Sequence, residues 1–146
     1  GGLMGSSVPY GMDGVKRRLR ILSVEDDLLV AMGTTGMLED LGHSVTEASS
    51  GEQALALLDR GLEVDMLITD QGMRGISGIE LAEAVRERIG GMPVLLVTGY
   101  LRIPNPEGLD AVVLRKPFRT SELEAAIRQA LSRSNEAKLR QPEAEA

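Results

Sequence analysis

The chain has no cysteine and no tryptophan, and only one phenylalanine, two tyrosines and one histidine among 146 residues. Without thiols there can be no disulfide frame, no thiolate zinc site and no cysteine nucleophile, and the composition fits a reducing compartment such as the cytoplasm. Without tryptophan, intrinsic indole fluorescence is silent on ligand binding. Apolar runs are short: Met92 to Val97 is among the longest, far below the ~20 residues that span a membrane. No membrane partner is expected. Basic charge is also scarce, with 16 Lys+Arg against 22 Asp+Glu and a net charge of −6. Such a balance opposes the counterion release on which nucleic-acid affinity depends, so direct DNA binding is not expected.

What is present suits one globular domain. Apolar residues make up 42% and charged residues 26% of the chain, a composition able to bury a core without staples. Residues 1–18 begin with a Gly- and Ser-rich stretch and read as a flexible lead or tag remnant, 19–134 as the folded domain, and 135–146 as a polar tail that extends the last helix briefly. Short apolar runs at Ile21–Val24, Val45–Ala48, Met66–Thr69, Val94–Val97 and Ala111–Leu114 alternate with helical patterns. That alternation predicts parallel strands joined by crossover helices, an α/β fold with both sheet faces covered. Ser50 to Gln53 and Ser77 to Glu80 match the capping box at helix starts. Leu123, Ala126, Ile127, Ala130 and Leu131 form one apolar stripe. The first helix has Gly33, Thr34, Thr35 and Gly36 at its middle, so packing must hold it. The seven methionines, Met32, Met37, Met66 and Met73 among them, read as core filler, and His43 as a structural residue in the turn before the second strand. The basic cluster around Arg17, Arg18 and Arg20 reads as the solvated start of a strand.

In an open parallel sheet, ligands bind beyond the carboxyl ends of the strands. Glu25, Asp26 and Asp27 follow the first strand, Asp70 the third, Thr98 ends the fourth, and Lys116-Pro117 follows the fifth. Each has a bland reading alone: a helix cap, a turn, a strand end, a surface lysine. Together they bring carboxylates to one edge, where two unit charges ~4 Å apart repel by about 4 kcal/mol at an effective dielectric of 20. A cation must share that space. Carboxylate oxygens without His or Cys suit Mg2+, which keeps several waters and leaves room for phosphate oxygens. Phosphoryl transfer needs an in-line nucleophile, for which an Asp serves, plus cationic and hydrogen-bonding groups for the equatorial oxygens. Asp70, Lys116 and Thr98 supply those types.

The residues then become recognisable. Val24-Glu25-Asp26, Asp70-Gln71-Gly72-Met73 with Gly78 after it, Val97-Thr98-Gly99 and Lys116-Pro117-Phe118 together resemble the receiver domain of two-component response regulators, of the single-domain or hybrid-kinase type, across residues 20 to about 134. The resemblance implies a flavodoxin-like (βα)5 three-layer sandwich with strand order 2-1-3-4-5. It also implies Asp70 as phosphoacceptor assisted by Lys116 and Thr98, and a cis Lys116-Pro117 bond. Mg2+, with Mn2+ as an alternative ion, would be held by Asp26, Asp70 and the Gly72 carbonyl, and by Glu25 through water. The implied partners are a sensor histidine kinase or histidine phosphotransfer protein and a downstream protein target.

Three positions depart from the family pattern. Arg74-Gly75 stands where a proline is usual, and Val113 where many relatives carry a switch aromatic. Lys116 lies only eighteen positions after Thr98, so the fourth helix is expected to be short or absent, and Tyr100 is a candidate replacement for the missing ring. Competing readings are a receiver that binds partners without phosphorylation, an aspartyl-phosphate phosphatase and a flavin-binding sheet. The phosphatase would want an acid at Gly72, and the flavin sheet would want Ser, Thr and Gly where three acids stand.

Overall fold

The computed structural model describes residues 17–99 and 109–140. Five strands, β1 (Arg20–Val24), β2 (Ser44–Ala48), β3 (Met66–Asp70), β4 (Val94–Thr98) and β5 (Val112–Arg115), form one sheet in the order β2-β1-β3-β4-β5. Every adjacent pair is parallel, with Leu22 opposite Leu67 and Ile68 opposite Leu95. Four helices are described: α1 (Leu28–Asp40), α2 (Gly51–Asp59), α3 (Gly78–Arg88) and α4 (Thr120–Arg140). The strands lie within a residue or two of their predicted limits, and β3 includes Asp70 as its last residue. Of the crossover between β4 and β5, residues 100–108, which hold Tyr100, lie outside the described residues, and the part described contains no helix.

Alternation along each strand sends neighbours to opposite faces. Leu22, Val24, Leu67, Val94 and Leu96 pack with Ala54 of α2 and Leu81 and Val85 of α3. Ile21, Met66, Ile68, Leu95, Val97 and Val112 pack with Leu38 of α1 and Leu123 and Ile127 of α4. These are the three layers that uninterrupted apolar strands require. Each fully buried Leu or Ile contributes roughly 1.5–3 kcal/mol relative to an exposed one.

The helix starts show how local chemistry sets the boundaries. Ser77 and Glu80 form the reciprocal capping box of α3. At α2, the Ser50 hydroxyl accepts the Gln53 N–H, but Gln53 Oε1 accepts from the backbone and hydroxyl of Ser49, one residue further back than the motif predicts. Asp27 caps α1 by accepting the Leu29 and Val30 N–H groups, which assists a helix weakened by two glycines. Leu38 of that helix is fully buried. Beyond Leu131, α4 continues to Arg140, with buried Ser134 donating to the Gly91 carbonyl.

His43 is buried, and its Nδ1 accepts the Leu19 N–H at 3.1 Å, which ties the α1–β2 turn to the start of β1. Met66 and Met92 are buried, as expected of core filler, but Met32 is not: it is 58% exposed beside Leu28 and Leu29. The correction has a simple cause. Helical spacing turns Met32 about 120° away from Leu38 around α1, out of the buried side, which composition alone does not register.

Candidate functional site

Strand order reverses around β1, whose neighbours are β2 and β3, and the crevice of a doubly wound sheet opens at that point. Glu25 and Asp26 emerge from β1 there, Asp70 ends the adjacent β3, Thr98 ends β4, and Lys116 follows β5. The Lys116 backbone N–H donates to the Thr98 carbonyl at 2.8 Å, which carries the lysine in from the edge strand. The Lys116-Pro117 peptide is cis, as the resemblance implied.

The Lys116 ammonium lies 2.8 Å from Asp70 Oδ1 and 3.3 Å from Glu25 Oε1. Both carboxylates are buried, at 7% exposure for Asp70 and 8% for Glu25. Glu25 Oε2 accepts the Asp27 N–H at 3.0 Å, which fixes the carboxylate. Burial pushes the Glu25 carboxyl above its ordinary value, helped by the charge of Asp70 and opposed by the Asp27 N–H and Lys116. For Lys116, burial pulls the ammonium down, but the hydrogen bond and charge of Asp70, with Glu25 beside it, outweigh burial and raise it overall. Lys116 is therefore a firmly protonated cation between two acids. Thr98 is buried at the adjacent strand end.

Asp26 faces a different partner. Its Oδ2 accepts the Arg74 backbone N–H at 3.1 Å, and the Arg74 Nε stands 3.5 Å from the same oxygen. That N–H, followed by the guanidinium, holds the Asp26 carboxyl below its ordinary value. The loop bearing Gly72 and Arg74 is itself seated on α3. Gln71 Oε1 accepts the Ile79 N–H at 2.9 Å, and its carbonyl accepts the Gly78 N–H at 3.0 Å. A Cβ at Gly78 would strike the Asp70 carbonyl and come within 2.9 Å of Gln71 Cα. Only glycine lets α3 approach the end of β3 so closely.

Glu25, Asp70, Lys116 and Thr98 thus meet at one rim as expected, with Asp26 beside them but turned to the β3–α3 loop. Among the described residues no three His, Asp or Glu side chains stand grouped to hold a metal ion. The donor chemistry still fits Mg2+, which needs only one or two carboxylates alongside carbonyl and water oxygens. Two buried carboxylates share one ammonium, so negative charge remains in excess. Sequence reasoning noted Arg74 only as a departure and missed Gln71 as the loop's anchor; an amide side chain directly after Asp70, followed by Gly72, was the available signal. Val113, at the place of the switch aromatic, is 44% exposed on β5. No helix among the described residues is long and apolar enough to cross a membrane.

Comparison with known proteins agrees with this geometry. The response regulator receiver domain family matches residues 21–128. The chain is 36% identical over 119 residues to the transcriptional regulatory protein FixJ of Azorhizobium caulinodans, covering 77% of this chain and 55% of that protein. It is 35% identical over 125 residues to the chemotaxis protein CheY of Pseudomonas aeruginosa, covering 80% of this chain and 99% of that one. The chain therefore spans about half the length of FixJ and nearly all of CheY. The crystal structure of the response regulator TrrA from Thermotoga maritima, in complex with Mg2+–BeF, superposes with a TM-score of 0.70 at 29% identity, covering 77% of this chain and 98% of that one. With the family match, the 2-1-3-4-5 sheet and the acid–lysine rim all in agreement, the chain belongs to the response regulator receiver domains, the phosphoacceptor switches of two-component and phosphorelay signalling.

Proposed function

We propose that Asp70 is the phosphoacceptor of this receiver and that a sensor histidine kinase or histidine phosphotransfer protein is its donor. The Lys116 ammonium, held 2.8 Å from Asp70 Oδ1 by a residue from the far edge of the sheet, is the observation that supports this most. An Asp70 carboxylate oxygen forms a P–O bond as the P–N bond of a phosphohistidine breaks, and the leaving imidazole takes the electron pair and then a proton. Lys116 neutralises one phosphoryl oxygen and the Thr98 hydroxyl donates to another. Asp26, Asp70 and the Gly72 carbonyl would hold Mg2+, or Mn2+ in its place, with Glu25 acting through water. The ion would offset the charge of the phosphoryl oxygens against the surrounding carboxylates.

The phosphoryl group adds nearly two negative charges where one carboxylate stood. Lys116 and Thr98 are drawn toward it, which biases a two-state equilibrium of the strand ends and alters protein–protein contacts. We assign residues 19–134 as the switching unit, with 1–18 and 135–146 as appendages, a cytoplasmic location, and an output through protein contact and not direct DNA binding.

Incubation with a small acyl phosphate and Mg2+, read by intact mass, tests the assignment. One added phosphoryl group is expected, absent in Asp70→Asn and absent without the divalent ion. Equal labelling of Asp70→Asn would show that the acceptor lies elsewhere.

A further inference from the structure

The acids of the rim divide the protein's own cations between them. Lys116 reaches Glu25 and Asp70, whereas the cation on Asp26 is Arg74. Arg74 approaches with two groups at once, its backbone N–H at 3.1 Å and its guanidinium at 3.5 Å, both on Oδ2. The backbone donor exists only because residue 74 is not proline, since proline has no N–H. Gly75, the next residue, has φ +81°, a backbone conformation that favours glycine. The Arg74 side chain is 89% exposed while that of Asp26 is 22% exposed. The guanidinium thus stands in solvent against a mostly buried carboxylate.

We infer that Arg74 is an internal counter-ion that competes with the divalent cation for Asp26 and so sets the ion affinity of the phosphoacceptor site. The inference rests on the assignment of Asp26 as an ion ligand. A dication beside Asp26 repels the guanidinium, so binding requires the side chain to swing outward. Its exposure makes that displacement cheap, and the fixed N–H continues to orient the carboxylate. Arg74 acts through Asp26 and is a positioning residue, not a catalytic one.

Mg2+ titrations of the full chain, followed by calorimetry and by the amide resonances of residues 26 and 74, provide the test. Arg74→Ala is expected to bind Mg2+ about two- to fivefold more tightly at low ionic strength, the range for an exposed ion pair. The gain should shrink as salt screens the parent's contact. Arg74→Lys, which keeps the charge, should restore much of the parent affinity, and the gain should vanish in an Asp26→Asn background. Parent-like or weaker Mg2+ binding by Arg74→Ala, or an equal gain in Arg74→Lys, would overturn the competition while leaving the ion site intact. Failure of the parent itself to bind Mg2+ would overturn the ion site and this inference together.

Discussion

At each end of the sheet one basic residue serves two acids, Arg20 with Asp65 and Glu63 and Lys116 with Asp70 and Glu25, but the geometry and burial differ. At the amino end of β1, the Arg20 backbone N–H and Nε donate to Asp65 Oδ2 at 2.7 and 3.1 Å, and Nη2 to Oδ1 at 3.0 Å, while the Asp65 N–H returns to the Arg20 carbonyl at 2.7 Å. Both carboxylate oxygens are satisfied by a planar fork that matches them. At the carboxyl end, a single ammonium is shared between buried Glu25 and Asp70, and an ammonium is a point charge without a matching fork. The fork on Asp65 ties the start of β1 to the segment before β3, and the second acid, Glu63, stays exposed to water. A point charge shared by two buried acids leaves negative charge in excess, which suits the ion and the phosphoacceptor proposed above.

Removing the shared cation should separate the two ends most sharply. Lys116→Ala is expected to slow phosphoryl uptake by about 10²-fold, the loss typical of one oxyanion-stabilising donor, as measured by the initial rate of labelling at saturating Mg2+. Uptake at the parent rate would mean that the rim needs no fixed cation. A smaller effect is expected from Gly78→Ala, which forces a methyl against the Asp70 carbonyl. It should lower unfolding free energy by roughly 1–3 kcal/mol, as overpacking does, and displace the acid it leans on; denaturant unfolding and labelling rate should fall together. Unchanged stability would show that α3 is free to draw back.

The smallest effect should come from the opposite end. Asp65→Asn is expected to reduce thermal stability slightly and leave labelling at the parent rate. Hydrogen bonds from the Arg20 side chain, then its backbone N–H and charge, hold the Asp65 carboxyl below its ordinary value of 3.8. An acid lowered in the folded state stabilises fully above its unfolded value and loses that contribution as pH falls through the folded one. Stability measured from pH 7 downward should therefore drop less steeply below about pH 4 in Asp65→Asn than in the parent. An identical acid limb would mean that the fork adds nothing.

How much was legible depended on whether the signal was local. Ile21–Val24 and Val94–Val97 read as strands because both faces are apolar, and Ser77 with Glu80 announced α3 through bonds three residues apart. Lys116, which reads alone as a surface lysine, was legible only together with Asp70, Thr98 and the acids after β1 at the same sheet edge. Met32 was misplaced because it was counted with the other methionines by composition and not by its position around α1 relative to Leu38. The reach of Gln53 to Ser49 depended on rotamers, and the grip of Arg74 on Asp26 on a neighbour 48 residues away.

The order of residue types along the chain by itself determined the alternating α/β plan, the two covered sheet faces and the edge on which acids, threonine and lysine would gather. These follow from side-chain period and from the direction of parallel strands, which short-range chemistry fixes. Only the tertiary structure decided how those charges pair: Lys116 between Glu25 and Asp70, Arg74 on Asp26, Arg20 in a fork with Asp65. Coulomb and hydrogen-bond energies depend on separation in space, and that distance exists only once the sheet has closed.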